Sequence, residues 1–384
     1  MSGAAPSRAP RVLLAGGGSG GHVFPALAVG GELARRGWAV DFAGAAEGME
    51  ARLVAERGLP FHPLPARALV GRGPLDQLRA LWTLASSTLA ARRLVRRLGA
   101  AVVVGTGGYV SAPAVLGASL AGVPSLLVEP NARAGLANRW LSRWAAGAAV
   151  GFDSARDSLR CAATVTGVPV RADFAALPDA AAGGEGEPVR LLGLGGSQGS
   201  EQLNREVPAA LGRLAAAGAP PAAVLHQAGR GKVETAVAAY EAAGLAAAES
   251  GGRVRVVDFI ADTAAAMGGA QLVVSRAGAI TSAELCAAGR ASLLVPLAAA
   301  AGGHQLDNAQ ALAAAGAAVV VPGDRADAAE LAGALGGLLG DRPRLAAMGR
   351  AARALGRPGA AAAIADRVEH LAGPGARAPR EATA

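Results

Sequence analysis

The sequence contains only two cysteines, Cys161 and Cys286, and they lie far apart. Neither belongs to a Cys-x-x-Cys pair or to a histidine-rich cluster, so neither a disulfide framework nor a zinc site is indicated. This usage is typical of a protein in a reducing cytoplasm. The first ten residues, MSGAAPSRAP, also lack the long apolar segment of a signal peptide, so we expect no export.

Charge is scarce and unevenly distributed. Residues 1–172 contain 19 basic and 9 acidic residues, whereas residues 173–384 contain 18 and 20, so the net charges are +10 and −2. All four tryptophans lie in the first part. Tryptophan among basic residues is typical of surfaces that meet anionic lipid headgroups. Because there is no dense lysine run and no aromatic RNA-binding motif, we expect a membrane surface and no nucleic acid as a partner.

A long uncharged stretch, residues 98–128, is long enough to span a membrane. Glycines and prolines interrupt it repeatedly, among them Gly105, Pro113 and Pro124. We therefore interpret it as buried strand, loop, helix and strand.

Short apolar segments alternate with amphipathic helical segments, and 384 residues exceed what one hydrophobic core usually supports. One series opens with RVLLAG at residues 11–16 and another with VRLLGLGGSQG at residues 189–199. The sequence therefore predicts an α/β fold with two Rossmann-like domains that face each other across a cleft. The predicted boundaries are 11–172 for the first domain, 173–188 for a Gly-, Pro- and Ala-rich linker, 189–356 for the second domain, 357–372 for a helix that returns to the first domain, and 1–10 and 373–384 for flexible tails.

The first glycine motif, GGGSGGH at residues 16–22, follows a strand and precedes a helix. Glycines allow close approach of a phosphate, and the helix N-terminus offers unpaired amides and a positive dipole. Gly16, Gly18 and Gly21 also satisfy the dinucleotide fingerprint, with Asp41 twenty residues beyond, so an NAD oxidoreductase is a rival interpretation. A plain tight turn is a further alternative.

His22 lies where the predicted helix begins. The helix dipole disfavours its protonation there, which suits a general base. A histidine that only braces the glycine turn is an equally good interpretation.

A second turn, GGSQG at residues 195–199, departs from the dinucleotide fingerprint but can also hold an anion. Further along, SRAGAITSAE at residues 275–284 runs from a strand into a helix, and Glu284 falls in its early turns. An acid there can accept hydrogen bonds from both hydroxyls of a ribose, or simply complement the helix dipole. The glycine turns at residues 16–22 and 195–199 lie in separate predicted domains. This arrangement favours one ligand held across the cleft over a single NAD site.

Residues 67–97 combine arginines, including Arg79, with large apolar residues, including Leu75, Leu81 and Trp82. This composition is typical of an interfacial helix that docks on a membrane. An ordinary amphipathic helix packed on a core is the alternative.

Taken in order, these motifs resemble those of the MurG glycosyltransferases, a family of two-domain GT-B enzymes. The resemblance covers residues 11–371 and is carried by GGxGGH followed by VFPALA, GGYVSAP at 107–113, EPN at 129–131, GVPVR at 167–171, GGSQG, DFI at 258–260, RAGAITSAE at 276–284, and HQ and NA within 304–309.

The resemblance implies an N-acetylglucosaminyltransferase of peptidoglycan synthesis that moves GlcNAc from UDP-GlcNAc, with inversion, to the C4 hydroxyl of a lipid-linked MurNAc-pentapeptide acceptor. The first domain would bind the acceptor and an anionic membrane surface, and the second would bind UDP-GlcNAc. The enzyme would lie peripherally on the cytoplasmic face of the inner membrane. Since no D-x-D pair is present, we expect no metal and no cofactor. A UDP-GlcNAc 2-epimerase and a non-catalytic sugar-nucleotide-binding protein remain alternatives.

The resemblance also implies the site residues. Those expected to contact UDP-GlcNAc are Ser19, Gly20, Gly21, Asn131, Arg171, Ser197, Ile260, Gly278, Ala279, Ile280, Thr281, Ser282, Ala283, Glu284 and Gln305. Glu284 would hold the ribose, His22 is the first choice of base and Glu129 the second, and Tyr109 would line the acceptor side. The sequence departs from the family pattern at Pro130, Val168, Ala277 and Gly303, and each departure removes a polar group.

Overall fold

The computed structural model describes residues 9–65, 74–180, 186–196, 198–219, 222–245, 252–297 and 303–373, with the side chains of residues 74–78 excepted. The chain divides into two compact units. Unit 1 comprises Met1–Pro169 with Gly359–Ala384, and unit 2 comprises Val170–Pro358. The predicted flexible tails lie almost entirely outside the described residues.

Unit 1 is built on a seven-stranded parallel sheet. Its strands are β1 Arg11–Ala15, β2 Ala39–Gly44, β3 Phe61–Pro63, β4 Val102–Gly105, β5 Ser125–Glu129, β6 Gly147–Val150 and β7 Ala163–Val165, in the order β3-β2-β1-β4-β5-β6-β7. Its helices are α1 Gly20–Arg35, α2 Met49–Ala55, α3 Pro74–Leu98, α4 Ser111–Ala121 and α5 Leu136–Leu141, with a 3₁₀ turn at Asp153–Ser158.

The sheet of unit 1 is covered on both faces, as the near-continuous apolar strands require. Side chains alternate along β1, so that Val12 and Leu14 join one core cluster while Leu13 joins the other. The first cluster includes residues of α1, and the second includes residues of α3 and α4. The interrupted stretch 98–128 accordingly forms β4, α4 and β5.

Unit 2 repeats this plan with six parallel strands. The strands are β8 Val189–Leu194, β9 Ala222–Gln227, β10 Val254–Val257, β11 Leu272–Ser275, β12 Ala291–Leu294 and β13 Ala318–Val320, in the order β10-β9-β8-β11-β12-β13. The helices are α6 Ala172–Ala175, α7 Glu201–Ala216, α8 Val233–Ala242, α9 Thr263–Gly269, α10 Ala279–Ala288, α11 His304–Ala314, α12 Ala328–Leu339 and α13 Arg342–Leu355. The predicted α/β fold with two Rossmann-like domains is confirmed.

Unit 2 begins earlier than the expected boundary, because residues 173–180 pack within it and do not form a free linker. Phe174 of α6 is fully buried. The guanidinium groups of Arg290 and Arg353 donate to the carbonyl oxygens of Pro178 (3.0 Å) and Leu177 (2.8 Å), respectively. These contacts fix the segment to the second core.

The last helix, α14 Ala360–Ala372, belongs to unit 1. Ile364 and Val368 are completely buried in the same cluster as α1. Arg36, just after α1, donates to Glu32 (2.7 Å) and to Asp366 of α14 (2.6 Å). Apolar packing and a shared arginine therefore hold α14 against α1.

Candidate functional site

Both glycine turns follow the central strand at which the order of their sheet reverses. In unit 1 the order reverses between β1 and β4, and in unit 2 between β8 and β11. In open parallel sheets, ligands bind at the carboxyl ends of the strands at such a point. The GGGSGGH turn follows β1, and the GGSQG turn follows β8. Each turn therefore lies at the expected binding position of its own unit.

His22 lies in the first turn of α1, and its ring is held by a carbonyl oxygen at the end of β4. Nδ1 lies 2.8 Å from the carbonyl oxygen of Thr106. A carbonyl oxygen only accepts hydrogen bonds, so Nδ1 carries the proton in the neutral ring and Nε2 is the basic nitrogen. The Thr106 hydroxyl in turn donates to the carbonyl oxygen of His22 (2.8 Å). This pair of contacts fixes both the tautomer and the position of the imidazole.

Two glycine loops meet beside His22. Gly108 adopts φ +76°, and a Cβ atom at this position would overlap the carbonyl group of Gly17. A side chain here would therefore separate the loop after β4 from the loop after β1. The ring of Tyr109, which is partly exposed, lies next to Gly18.

Glu50 of α2, which no sequence motif predicts, contacts the first glycine turn through its side chain. The side chain is completely buried. Its carboxylate accepts hydrogen bonds from the backbone N–H of Ala45 (3.0 Å) and, more weakly, of Gly18 (3.4 Å). Glu50 therefore helps to fix the shape of the turn that precedes His22.

Glu129, the last residue of β5, is the centre of a hydrogen-bonded loop and is only 2% exposed. One carboxylate oxygen accepts from the backbone and side-chain amides of Asn131 (3.0 and 2.9 Å). The other accepts from the backbone of Gly135 (2.9 Å) and the side chain of Asn138 (3.0 Å). With both oxygens engaged by N–H donors, the geometry of Glu129 suits a positioning role better than proton transfer.

The second turn leads into α7, whose N-cap is Ser200. The Ser200 hydroxyl accepts from the backbone N–H of Leu203 (3.3 Å) and from the guanidinium group of Arg276 (2.8 Å). Arg276 also donates to the side chain of Gln202 (3.2 Å). Arg276 thereby links the end of β11 to the start of α7. Ser197, expected to contact UDP-GlcNAc, lies outside the described residues.

Glu284 lies in the second turn of α10, which begins after Gly278. The pKa of its carboxyl group is raised to about 7, mainly by burial; Arg171 lowers the pKa and Asp173 raises it, each by less than burial does. Arg171 pairs with Asp173 (3.1 Å) at the start of α6. Glu284 is therefore a carboxyl group that a bound hydroxyl donor would convert to its ionised form near neutral pH.

The other expected donor contacts lie around α10 and α11. Gly278 is the N-cap of α10, and residues 279–283 form its first turns. Ser282 is fully buried, and its hydroxyl makes no hydrogen bond within the described residues. Gln305 lies in the first turn of α11, and its side-chain oxygen accepts from the backbone N–H of Leu297 (2.9 Å).

Two of the departures lie in buried apolar surroundings, where a polar side chain would need a partner. Val168 is 5% exposed and Ala277 is completely buried. Gly303 adopts φ +70° at the N-cap of α11, a conformation that glycine adopts without strain. Pro130 is buried, with its backbone against Gly151.

The tryptophans differ in exposure. Trp82 of α3 is 76% exposed and the adjacent Leu81 55%, whereas Trp38 is buried in the core and cannot meet a membrane. Trp140 and Trp144 are partly exposed, with ring centroids 4.7 Å apart. Leu75 lies in α3, but its side chain is outside the described residues, and Arg79 is exposed in the same helix. Within the described part of the chain, no helix combines the length and apolarity needed to span a membrane.

Asp41, the acidic residue that would bind the ribose of NAD, is not available to a ligand in this structure. Asp41 is the third residue of β2, not its carboxyl end, and pairs with Leu13 in the sheet. Its carboxylate binds the Arg11 guanidinium (2.6 Å) and the His62 ring (2.7 Å). The geometry therefore contradicts the dinucleotide fingerprint.

Comparison with known proteins gives the family. The model of the glycosyltransferase family 28 N-terminal domain matches residues 12–150, and that of the C-terminal domain matches residues 191–366. The UDP-N-acetylglucosamine–N-acetylmuramyl-(pentapeptide) pyrophosphoryl-undecaprenol N-acetylglucosamine transferase of Methylibium petroleiphilum is 42% identical over 360 residues, covering 92% of this chain and 95% of the relative. The crystal structure of Acinetobacter baumannii MurG matches with a TM-score of 0.78 and 33% identity, over 94% of this chain and 99% of that chain. The chain belongs to the MurG family of glycosyltransferases.

Membership of the MurG family confirms the resemblance inferred from the motifs. A structure described as a UDP-N-acetylglucosamine 2-epimerase from Listeria monocytogenes also matches, with a TM-score of 0.63 but 12% identity over 93% of this chain and 95% of that chain. At this identity the likeness concerns the fold alone. The epimerase alternative therefore gains no support beyond the shared architecture.

In this MurG-family chain, the expected site residues form one group in each unit. Around the first turn lie Ser19, the N-cap of α1, and Gly20, Gly21 and His22 within the helix. In unit 2, Ile260 is tied to the second turn through Gln227, a residue that the sequence analysis missed. No motif marks Glu50 or Gln227, because each contacts a loop more than 30 residues away in sequence.

Proposed function

We propose that this chain transfers GlcNAc from UDP-GlcNAc to the C4 hydroxyl of MurNAc-pentapeptide-diphospho-undecaprenol, converting lipid I to lipid II in peptidoglycan synthesis. Membership of the MurG family supports the donor and the acceptor. The observation that carries the chemistry is the contact between His22 Nδ1 and the carbonyl oxygen of Thr106, which leaves Nε2 as the basic nitrogen beside the glycine loops.

In the proposed step, the acceptor oxygen attacks the anomeric carbon of GlcNAc as the bond from that carbon to the diphosphate breaks. The configuration inverts, and UDP leaves with the bonding electrons. His22 Nε2 takes the hydroxyl proton, a contribution typically worth ~10²–10⁴-fold in rate. Glu129 is the weaker candidate because N–H donors already engage both of its oxygens. Tyr109, beside Gly18, would line the acceptor side.

Unit 2 would bind the donor. Ionised Glu284 would accept hydrogen bonds from the ribose hydroxyls, while the amides of the second turn and the N-terminus of α10 would stabilise the departing diphosphate. Arg171, beside Asp173, would add positive charge. Because the chain offers these groups and lacks a D-x-D pair, we expect transfer to continue in EDTA.

We further infer that unit 1 docks peripherally on the cytoplasmic face of the inner membrane. The exposed side chains of Leu81 and Trp82 lie on a helix whose last turn carries Arg96 and Arg97. Basic residues near an anionic surface contribute about 1 kcal/mol each. Trp140 and Trp144 offer a further exposed aromatic surface on the same unit.

The decisive experiment incubates the purified chain with radiolabelled UDP-GlcNAc and a lipid I analogue. We expect label in the lipid-linked product, with a β configuration of the new linkage measured by NMR. Formation of UDP-N-acetylmannosamine without lipid labelling would instead identify an epimerase. Binding of UDP-GlcNAc without any turnover would identify a non-catalytic binding protein.

A further inference from the structure

A buried glutamine at the end of β9 is not used by the proposed chemistry. Gln227 is 4% exposed. Its side-chain Nε2 donates to the carbonyl oxygen of Gly196 (2.9 Å), and its Oε1 accepts from the backbone N–H of Ile260 (2.9 Å). A carbonyl oxygen only accepts and an amide N–H only donates, so these contacts fix which way the amide faces.

The two partners of Gln227 belong to loops on opposite sides of its strand. Gly196 lies in the second glycine turn after β8, and Ile260 follows β10. Since β9 pairs with β8 on one side and β10 on the other, the side chain bridges both neighbouring loops. One residue therefore sets the distance between two segments that are proposed to contact UDP-GlcNAc.

A buried hydrogen-bond chain fixes the strand end that carries Gln227. Asn204 Nδ2 donates to the carbonyl oxygen of Ala228 (2.9 Å), so its Oδ1 accepts from His226 Nε2 (3.1 Å). His226 Nδ1 then accepts from the hydroxyl of Tyr240 (2.9 Å). Burial lowers the pKa of His226 to about 4, which keeps the ring neutral. The main chain around Gln227 is therefore rigidly held.

The second turn is packed directly on this strand end. Gly199 has φ +71°, and a Cβ atom there would overlap the carbonyl group of Ala228. The Lys232 ammonium donates to the carbonyl oxygen of Gln198 (3.3 Å). The carbonyl groups of Gly196 and Gln198 are thus both held by side-chain donors. The backbone N–H of Gly199 also donates to the carbonyl oxygen of Gly196 (3.0 Å), so the position of Gly196 is fixed both from within the turn and by Gln227.

We propose that Gln227 is a positioning residue for donor binding. It holds the diphosphate-binding turn and the segment at residues 258–260 at the spacing that lets UDP-GlcNAc contact both. The inference rests on the proposed function, because it requires the donor site in unit 2. It predicts that a ligand with phosphates depends on Gln227 more than uridine does.

The test is Gln227→Glu, which keeps the size and shape of the side chain. An ionised carboxylate would turn an oxygen toward the carbonyl oxygen of Gly196 and repel it. A protonated carboxyl group would donate there and restore the wild-type contacts. Above pH 8, titration calorimetry should therefore show UDP binding weakened ~10-fold or more, with uridine binding changed less than ~3-fold. As the pH falls, the affinity of the variant should approach that of the wild type.

Kinetics separate positioning from catalysis. With a lipid I analogue, the KM for UDP-GlcNAc should rise while kcat at saturating donor stays within ~3-fold of wild type. Gln227→Met, which neither donates nor accepts in the same way, should weaken UDP binding at every pH. Gln310→Glu on the exposed face of α11 introduces the same charge and should bind UDP normally.

The ratio of variant to wild-type affinity at each pH isolates residue 227. The titratable groups on the surrounding segments are unchanged in both proteins, namely Glu201, His226, Lys232, Asp258 and Glu284. If Gln227→Glu binds UDP like the wild type above pH 8, or weakens UDP and uridine equally at all pH values, Gln227 only fills space. Failure of the wild type itself to bind UDP-GlcNAc would overturn the proposed function and this inference with it.

Discussion

The two glycine turns occupy equivalent places in sheets of matching strand order, yet the side chains that contact them differ. The turn of unit 1 is flanked by the imidazole of His22 and the buried carboxylate of Glu50. The turn of unit 2 and the start of α7 are held by the amide of Gln227 and by the basic side chains of Lys232 and Arg276. The backbone plan is therefore shared, whereas the side chains around the turns differ, as we expect if unit 1 carries the proposed base and unit 2 binds the donor.

The largest effect expected from this difference is on His22. His22→Ala should lower kcat by at least ~10²-fold and leave the affinity for UDP-GlcNAc nearly unchanged, because the base acts on the acceptor proton in the transition state. Steady-state kinetics and donor calorimetry measure the two effects separately. The exposed His370, on α14, provides a control as His370→Ala. Near-normal turnover of His22→Ala would remove the contrast between the two turns.

The converse effect is expected for Glu284 of unit 2. Glu284→Gln should raise the KM for UDP-GlcNAc by ~10–100-fold, because hydrogen bonds to charged groups contribute about 1.5–3 kcal/mol. In the wild type, donor affinity should fall as the pH decreases through about 7, where the carboxyl group becomes protonated. The glutamine variant should show no such dependence, and Glu241→Gln on exposed α8 is the matched control. A pH-independent wild type would argue against ribose binding by the ionised group.

The same carboxyl group should also affect stability, with the opposite sign. Its pKa is raised from 4.5 to about 7 on folding, so the folded chain binds the proton more tightly than the unfolded chain does. Stability should therefore be lost as the pH rises between these values, by about 1–3 kcal/mol. Thermal denaturation should show Glu284→Gln more stable than wild type at pH 8 and similar to it near pH 4. Equal stabilities at pH 8 would indicate that burial does not destabilise the carboxylate.

A smaller effect should distinguish the surfaces of the two units. Leu81→Ser with Trp82→Ser should reduce co-sedimentation with phosphatidylglycerol vesicles by at least ~10-fold, since burial of even one large apolar side chain contributes about 1.5–3 kcal/mol. Binding of the wild type should also weaken with salt, because screening acts over about 8 Å at physiological ionic strength. Leu355 of α13 in unit 2 has an exposed side chain, and Leu355→Ser should leave vesicle binding unchanged. Equal binding by the double variant would favour a purely structural α3.

The smallest effect should come from the contact between α1 and α14. Arg36→Ala leaves the buried Glu32 with less compensation and should cost about 1–2 kcal/mol, whereas Asp366→Asn, at an exposed position, should cost less than about 0.5 kcal/mol. Denaturation followed by tryptophan fluorescence reports on unit 1, because all four tryptophans lie there. If the two variants cost the same, the effect of Arg36→Ala would come from its ion pair with the exposed Asp366 and not from its contact with the buried Glu32.

Sequence reasoning recovered the fold because the information was local. Alternating apolar segments and a glycine turn after β1 and β8 define both sheets and the positions of both turns. The side chains behind the turns were not recoverable, since nothing near Glu50 or Gln227 in sequence indicates which loop will pack on it. The predicted start of the linker, residue 173, differs from the structure for a related reason, because residues 173–180 pack within unit 2. The bulky buried side chain of Phe174 lies in a helix of four residues that is too short to show periodicity.

Helix α14 also has a consequence for how the chain is made. Most of unit 1 precedes unit 2 in the sequence, yet its core includes Ile364 and Val368, which follow unit 2. About 200 residues of unit 2 are translated in between, which takes about 10–40 s at roughly 5–20 residues per second. During that interval the nascent first unit exposes the apolar surface that α14 later covers. The core of the first unit can therefore be completed only after all of unit 2 has been synthesised.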